Sequence, residues 1–242
     1  MSNPDFVEHN RITLLRNGDE YFPRLEAAIE SAHSEIYLET YIFAADATGH
    51  RIAAVLERAA LRGVSVHVLL DGFGSQSLPQ PILQNLLQAG VKVLIFRPEI
   101  AFTKFRRYRL RRMHRKLAII DASIAFVGGI NIIDDQHNPE NLSPRLDYAV
   151  TIQGPLLAQA HKAARHLWMI VAWVHFKRRW IAPISIIPSN DPCGTQKAAF
   201  VIRDNWRHRH DIEHAYLQAI QSAHTEIIIA NAYFLPGNRF AT

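Results

Sequence analysis

The chain of 242 residues is poor in cysteine: Cys193 is the only one, which rules out an internal disulfide and fits a reducing compartment. Long apolar runs are missing too. The longest, Leu167 to Val174, has eight residues, well short of the roughly 20 needed to span a bilayer. Met1 to Asn10 is polar and charged, without the apolar core of a secretory signal. Acidic residues are absent from one stretch that is otherwise dense in charge. Lys104 to Lys116 holds eight Lys or Arg and no Asp or Glu, interleaved with Phe105 and Tyr108, while the whole chain carries a net charge of only +5. A basic run of this kind attracts anionic lipid headgroups or nucleic-acid phosphates alike, and charge does not choose between them. With 48% hydrophobic residues the chain has ample material for a core.

The coarse pattern alternates strand and helix. Short strands are expected at Ile12 to Leu15, Glu35 to Phe43, Val64 to Leu70, Val91 to Phe96, Leu117 to Ile120 and Asp147 to Ile152. Helical periods cover Tyr21 to Ala32, His50 to Arg62 and Pro81 to Ala89, the latter two stopped by Gly63 and Gly90. A further helix opens at Pro155 and continues through His166 to Trp180. That order predicts an α/β fold, a mixed sheet flanked by helices on both faces.

The chemistry concentrates at the end of the basic run. His114, Lys116, Asp121, Gly128, Gly129 and Asn131 form the pattern H-x-K-x4-D-x6-G-G-x-N. Alternation along a strand puts His114 and Lys116 on one face, so an imidazole and an ammonium converge. Gly128 and Gly129 are expected to let the backbone approach an anion and offer it amide donors. Asn131 adds a neutral donor. Such a set can hold a phosphodiester, with Lys116, Gly128, Gly129 and Asn131 binding phosphate and His114 acting as nucleophile or general acid without a metal. Asp121, at a strand end before a hairpin, is expected to brace the site. Asp147 stands just before a strand that ends in Gly154-Pro155. Glu39, an acid within an apolar strand, needs a buried partner and is read as structural.

A repeat is also visible. Ala27 to Phe43 and Gln218 to Phe234 share eight of seventeen residues at an offset of 191. Both copies read as helix then buried strand. The expected organisation is therefore a first domain at 1–180, a linker at 181–197, and the start of a second domain of the same design at 198–242, incomplete here. A second motif histidine is expected near position 305, past Thr242. His208, His210 and His214 include an i, i+4 pair, but no further ligands mark a metal site.

The motif resembles the signature of the phospholipase D superfamily. The peptides Leu14 to Gly18, Leu38 to Phe43, Leu69 to Ser75, Arg112 to Lys116, Ile202 to Asn205 and Ile229 to Phe234 are similar to the bacterial cardiolipin synthases of the B type. The resemblance implies a phospholipase D-like sandwich and phosphatidyl transfer through a phosphatidyl-histidine intermediate. It implies His114, Lys116, Asp121, Asn131 and Asp147 as the catalytic set, with Asp147 orienting the histidine through its non-attacking nitrogen. Phosphatidylglycerol or a related phospholipid is the implied substrate, with no cofactor and no metal. The implied location is peripheral, on the cytoplasmic face of the bacterial inner membrane. Anionic membrane contact is expected from Lys104, Arg106, Arg107, Arg109, Arg111 and Arg112, and from Trp173, Lys177, Arg178, Arg179 and Trp180. Nucleic acid is set aside as a partner. Two alternatives stay open: a single-motif phosphodiesterase or nuclease whose site is completed by a homodimer, and an inactive membrane-binding fragment.

Overall fold

A computed structural model describes residues 4–97, 112–135, 145–181, 186–188, 190–203 and 208–229. The chain divides into two compact units, residues 8–197 and residues 1–7 with 198–242.

The larger unit is built on one mixed sheet. Its strands in chain order are β1 (Val7–Arg16), β2 (Glu35–Thr40), β3 (Ser65–Asp71), β4 (Lys92–Phe96), β5 (Leu117–Ile120), β6 (Ile124–Gly128), β7 (Tyr148–Gln153) and the short β8 (Gln196–Ala198). In space the order is β4-β3-β2-β5-β6-β7-β1-β8. β2, β3 and β4 run parallel, while β2 to β5, β5 to β6, β6 to β7 and β7 to β1 are antiparallel. The helices are α1 (Asn17–Glu30), α2 (Ala47–Leu61), α3 (Gln80–Gln88) and α4 (Leu157–Val174), followed by a 3-10 turn at Arg178–Trp180.

The alternation of side chains sorts the two layers. Ile36 and Leu38 of β2, Val66, Val68 and Leu70 of β3, and Ala118 and Ile120 of β5 join one core with Phe22, Leu25 and Ile29 of α1, Ile52 and Leu56 of α2 and Leu86 of α3. The intervening residues face α4. Tyr37 meets the α4 residues His161 and Trp168 edge-on, and Glu35 bonds His161 Nε2 at 2.6 Å. Every residue of β2 is buried, as a strand covered on both faces requires. The predicted α/β sandwich with helices on both faces is therefore the observed one.

Local chemistry sets the boundaries. Asp46 caps α2 by accepting the Gly49 N–H at 2.9 Å, so the helix starts three residues before His50. β2 stops at Thr40 rather than Phe43. The chain beyond it is drawn aside into a single parallel bridge between Phe43 and Ile132. Residues 193–197, within the segment read as a linker, pack along β1. Cys193 N–H donates to His9 O at 2.9 Å, and the Gln196 side chain exchanges bonds with Ile12 of 3.3 and 3.2 Å.

In the smaller unit, α5 (Asp211–Ser222) coincides with the helix of the repeat. The strand expected after it is absent among the described residues: 226–229 carry no strand, and Ile228 is 79% exposed. Its counterpart β2 is held between β3 and β5, and α5 buries no side chain that would form a comparable core. His208 and His210 bond the carboxylates of Asp211 and Glu213, at 2.6 and 2.8 Å.

Asp121 turns out to be a fold residue. It lies at the end of β5 remote from His114, in the left-handed region (φ 49°) that aspartate tolerates in turns. Its carboxylate accepts the N–H groups of His33, Ser34 and Glu35 at 2.8–2.9 Å and so ties the α1–β2 turn to the β5–β6 hairpin. The four residues of β5 lie between it and Lys116, a separation of about 16 Å. It belongs to the scaffold and not to the catalytic set. Asp121→Ala should cost about 1–2 kcal/mol in urea unfolding, since three backbone donors lose one charged acceptor but two of them can turn to water.

Candidate functional site

The site lies where β2 and β3 end and β5 begins, at the carboxyl edge of the parallel half of the sheet. Lys116 is buried, and its Nζ sits 3.0 Å from His114 Nδ1 and 3.2 Å from Nε2. Tyr41, just past β2, forms one wall. Its ring centroid is 4.8 Å from that of His114 and 5.6 Å from Lys116 Nζ. The imidazole keeps an exposed edge.

The electrostatics suit a nucleophile. Partial desolvation of the ring and the neighbouring Lys116 charge lower the His114 pKa, against the opposing pull of Asp71 and Asp147. The imidazole is thereby held neutral, with a lone pair to offer. Burial also draws the Lys116 ammonium down to about 8, opposed by Asp147. At rest Lys116 can donate to the unprotonated ring nitrogen, and an anion that draws the ammonium's protons to itself frees that lone pair for attack.

Asn131 is oriented by the backbone. Its Oδ1 accepts the Ile42 N–H at 3.1 Å, which turns the amide nitrogen away as a donor with no partner among the described residues.

The two glycines do something other than expected. Gly128 N–H is directed at Lys116 O (3.4 Å) and Gly129 N–H donates to Tyr148 O (2.9 Å), so both amides are spent on strand pairing rather than held ready for phosphate. The glycines are needed for space. A Cβ on Gly128 would overlap the β7 backbone at Ala149, and one on Gly129 would lie 2.8 Å from Asp147 Cγ and nearer still to Oδ1. Their absence of side chains lets Asp147 press against the chain beside the site.

Asp147 is held at both ends. Its N–H donates to Asn17 Oδ1 (3.0 Å), its carbonyl accepts the Asn17 N–H (2.8 Å), and Oδ1 accepts the Tyr148 N–H (2.8 Å). It acts on both His114 and Lys116 through its charge. No hydrogen bond joins it to His114: the ring nitrogens face Lys116 instead. The orienting contact implied by resemblance is replaced here by electrostatic support.

Two residues that sequence reading passed over complete the arrangement. Asp71, fully buried at the end of β3, accepts the N–H groups of Phe73 (2.9 Å), Gly74 (3.1 Å) and Met113 (2.7 Å). By fixing Met113 it fixes the approach to His114, and it is a positioning residue. The available signal was an acid followed by Gly72 and Gly74 at the carboxyl end of a parallel strand, where ligands collect in open sheets. Tyr41 carried no signal beyond its place after a buried strand. Glu39, as expected, is structural. It is buried on the opposite sheet face, where Arg115 forms a two-pronged pair with it, Nη2 to Oε1 at 2.6 Å and Nε to Oε2. Burial raises the Glu39 pKa and Arg115 opposes the rise.

Of the basic run, Lys104, Arg106, Arg107, Arg109 and Arg111 lie outside the described residues. Arg112 stacks over Phe73 at 5.1 Å, and its Nη1 is buried without a partner among the described residues. Trp173, Lys177, Arg178, Arg179 and Trp180 gather at the end of α4, apart from His114 in the chain and in no contact with it. Among the described residues no group of three or more His, Cys, Asp or Glu side chains is placed to hold a metal ion.

Gly129→Ala should lower stability by about 1–3 kcal/mol, because Asp147 must move to admit the methyl group; thermal unfolding would measure it. A pH effect follows from Lys116. Below about 8 its ammonium binds an anion, and above that value the neutral amine does not. Affinity for a phosphodiester of constant charge, such as diethyl phosphate, should therefore fall as pH rises through about 8. Lys116→Met should remove the pH dependence; NMR titration of the His114 ring protons would follow both.

The family model described as "Cardiolipin synthase, PLD-like domain" matches residues 25–168. The chain is 40% identical over 232 residues to cardiolipin synthase B of Salmonella typhi, covering 96% of this chain and 55% of that protein. It is 38% identical over 243 residues to cardiolipin synthase B of Escherichia coli K12, covering 96% and 56%. The chain thus spans about half the length of the curated relatives it matches. Among solved structures it is similar to Nuc from Salmonella typhimurium, described as a phospholipase D family member. The TM-score is 0.47 and the identity 19%, with 68% of this chain and 95% of that one covered. For NucT from Helicobacter pylori the TM-score is 0.49 and the identity 19%, covering 68% and 96%.

Proposed function

Since the chain belongs to the cardiolipin synthase family of phospholipase D-like domains, we propose that it contributes one half of a phosphatidyltransferase site. The observation that carries this reading is the His114–Lys116 contact. A neutral, edge-exposed imidazole is held against a buried ammonium, with the Asn131 amide nitrogen directed away from its backbone anchor. The substrate is phosphatidylglycerol or a related phospholipid. In the first step a motif histidine nitrogen bonds to phosphorus, the bond from phosphorus to the headgroup oxygen breaks, and the released alcohol takes a proton from a second acid. In the second step the hydroxyl of another phosphatidylglycerol attacks the phosphatidyl-histidine, gives its proton to that second group, and frees the histidine. Lys116 and Asn131 stabilise the charge on the phosphoryl oxygens, commonly the largest single contribution in such sites.

The two half-reactions use two titratable groups, one as nucleophile and then leaving group, the other as acid and then base. The H-x-K-x4-D pattern occurs once in these 242 residues and supplies one histidine. The second is supplied by another domain or another copy. The reading places the protein peripherally on the cytoplasmic face of a bacterial inner membrane, where phosphatidylglycerol is at hand; no helix among the described residues is long and apolar enough to cross a bilayer.

The test is product analysis by mass spectrometry after incubation with phosphatidylglycerol vesicles. This chain as sole protein should give at most traces of cardiolipin, and His114→Asn should abolish them. Formation that rises with the square of protein concentration and is lost in His114→Asn would assign the second histidine to another copy. Robust formation that survives His114→Asn would sink the proposal.

A further inference from the structure

The outer end of α4 carries a surface that the reaction does not use. Trp168 is buried against Tyr37 and His67, but Met169, Ile170, Trp173 and Val174 on the other side of the helix are 43–60% exposed. The helix closes in a Schellman arrangement: Phe176 N–H donates to Trp173 O (3.1 Å) and Lys177 N–H to Ala172 O (2.8 Å). The residue placed in the left-handed position of this turn is ordinarily glycine. Here it is Phe176, at φ 58° and 89% exposed. A bulky apolar residue thus occupies a strained backbone and extends into solvent, which no packing requirement explains. The turn itself is firmly held. Trp168 Nε1–H donates to Trp180 O at 3.1 Å and the two indoles stack 6.5 Å apart.

Cations surround the apolar tip. Lys177 lies over Trp180 and Arg178 over Trp173, and a recess is lined by Phe176 to Trp180. From Tyr148 to Asn190 the chain holds five Lys or Arg and no Asp or Glu.

We propose that this tip of α4 docks the protein onto an anionic bilayer interface, with Trp173, Val174 and Phe176 entering the headgroup–acyl boundary and Lys177, Arg178 and Arg179 on the lipid phosphates. Exposed Trp and Phe beside a cationic cluster match a boundary that is apolar beneath and anionic above. An isologous pairing of the patch with itself would set its cations against their copies, with no acid in this stretch of chain to relieve them. The inference sharpens the phosphatidyl-transfer reading by saying where the lipid surface meets the protein, but it stands on different residues.

Phe176→Gly is the informative variant. Glycine relaxes the left-handed turn, so thermal stability should be unchanged or higher. Co-sedimentation with vesicles of mixed phosphatidylcholine and phosphatidylglycerol should nevertheless fall about tenfold, as expected for losing one inserted aromatic side chain. Replacing Lys177, Arg178 and Arg179 together by Gln should erase the preference for these vesicles over phosphatidylcholine alone. His114→Asn should bind as the unaltered protein does, which separates docking from turnover. Failure of the unaltered chain to sediment with the mixed vesicles, or undiminished binding by Phe176→Gly, would overturn the proposal. So would self-association that is lost in Phe176→Gly while no vesicle binding is seen, since the patch would then belong to a second copy.

Discussion

The ion pair of Glu39 and Arg115 decides which way the motif faces. β5 is four residues long, and its lead-in alternates strictly: Arg115 to one face, His114 and Lys116 to the other. A slip by one residue would bury His114 beneath α4 and release Arg115 into the site. Glu39 forbids that slip, because a buried carboxylate that loses its paired cation costs about 3–5 kcal/mol. Arg115 Nη2 also reaches Ala163 O at 3.3 Å, so the pair is clamped to α4 as well as to β2. The charge pair on the dry side of the sheet thereby sets the register of the reactive pair on the wet side.

A second constraint is steric. The site brings a lysine, a histidine and an aspartate close together. Gly128 and Gly129 meet it by removing two side chains from the strip between β6 and β7, and Asn17 fixes Asp147 from the other side. Asp147 is then near enough to favour the charged form of Lys116, while Lys116 keeps His114 neutral. The three groups balance one another through space.

Much of this was legible in the residues. The alternation of strand and helix predicts the layers because each element carries its own period, and the His114–Lys116 convergence follows from two-residue spacing alone. The assignments that changed were those where a residue type has more than one use. Aspartate in a motif reads as catalytic, yet Asp121 accepts three backbone donors in a turn 16 Å or so away along the strand. Paired glycines read as an anion cradle, yet here they make room for a carboxylate. Asp71 shows locally only as an acid at a strand end before two glycines; its hold on Met113, 42 positions later, is a contact that no local pattern encodes. The missing strand at 226–229 shows the same limit from the other side: a buried strand is a property of its neighbours, and Ile227 to Ile229 have none among the described residues.

The order of the strands also dictates an order of assembly. β1 is among the first elements of the chain, but its main-chain partner is β7, with Arg11 opposite Gln153. On a ribosome, β1 must wait, edge open, until β7 has been made. In the meantime β2, β3 and β4 can pair locally through their crossover helices, and β5 and β6 can close as a hairpin. β1 then joins β7 in a late, non-local step, and β8 adds to its outer edge. Folding of this unit should be slow for its size. The interval before β1 joins is when its apolar strands most need shielding from other chains.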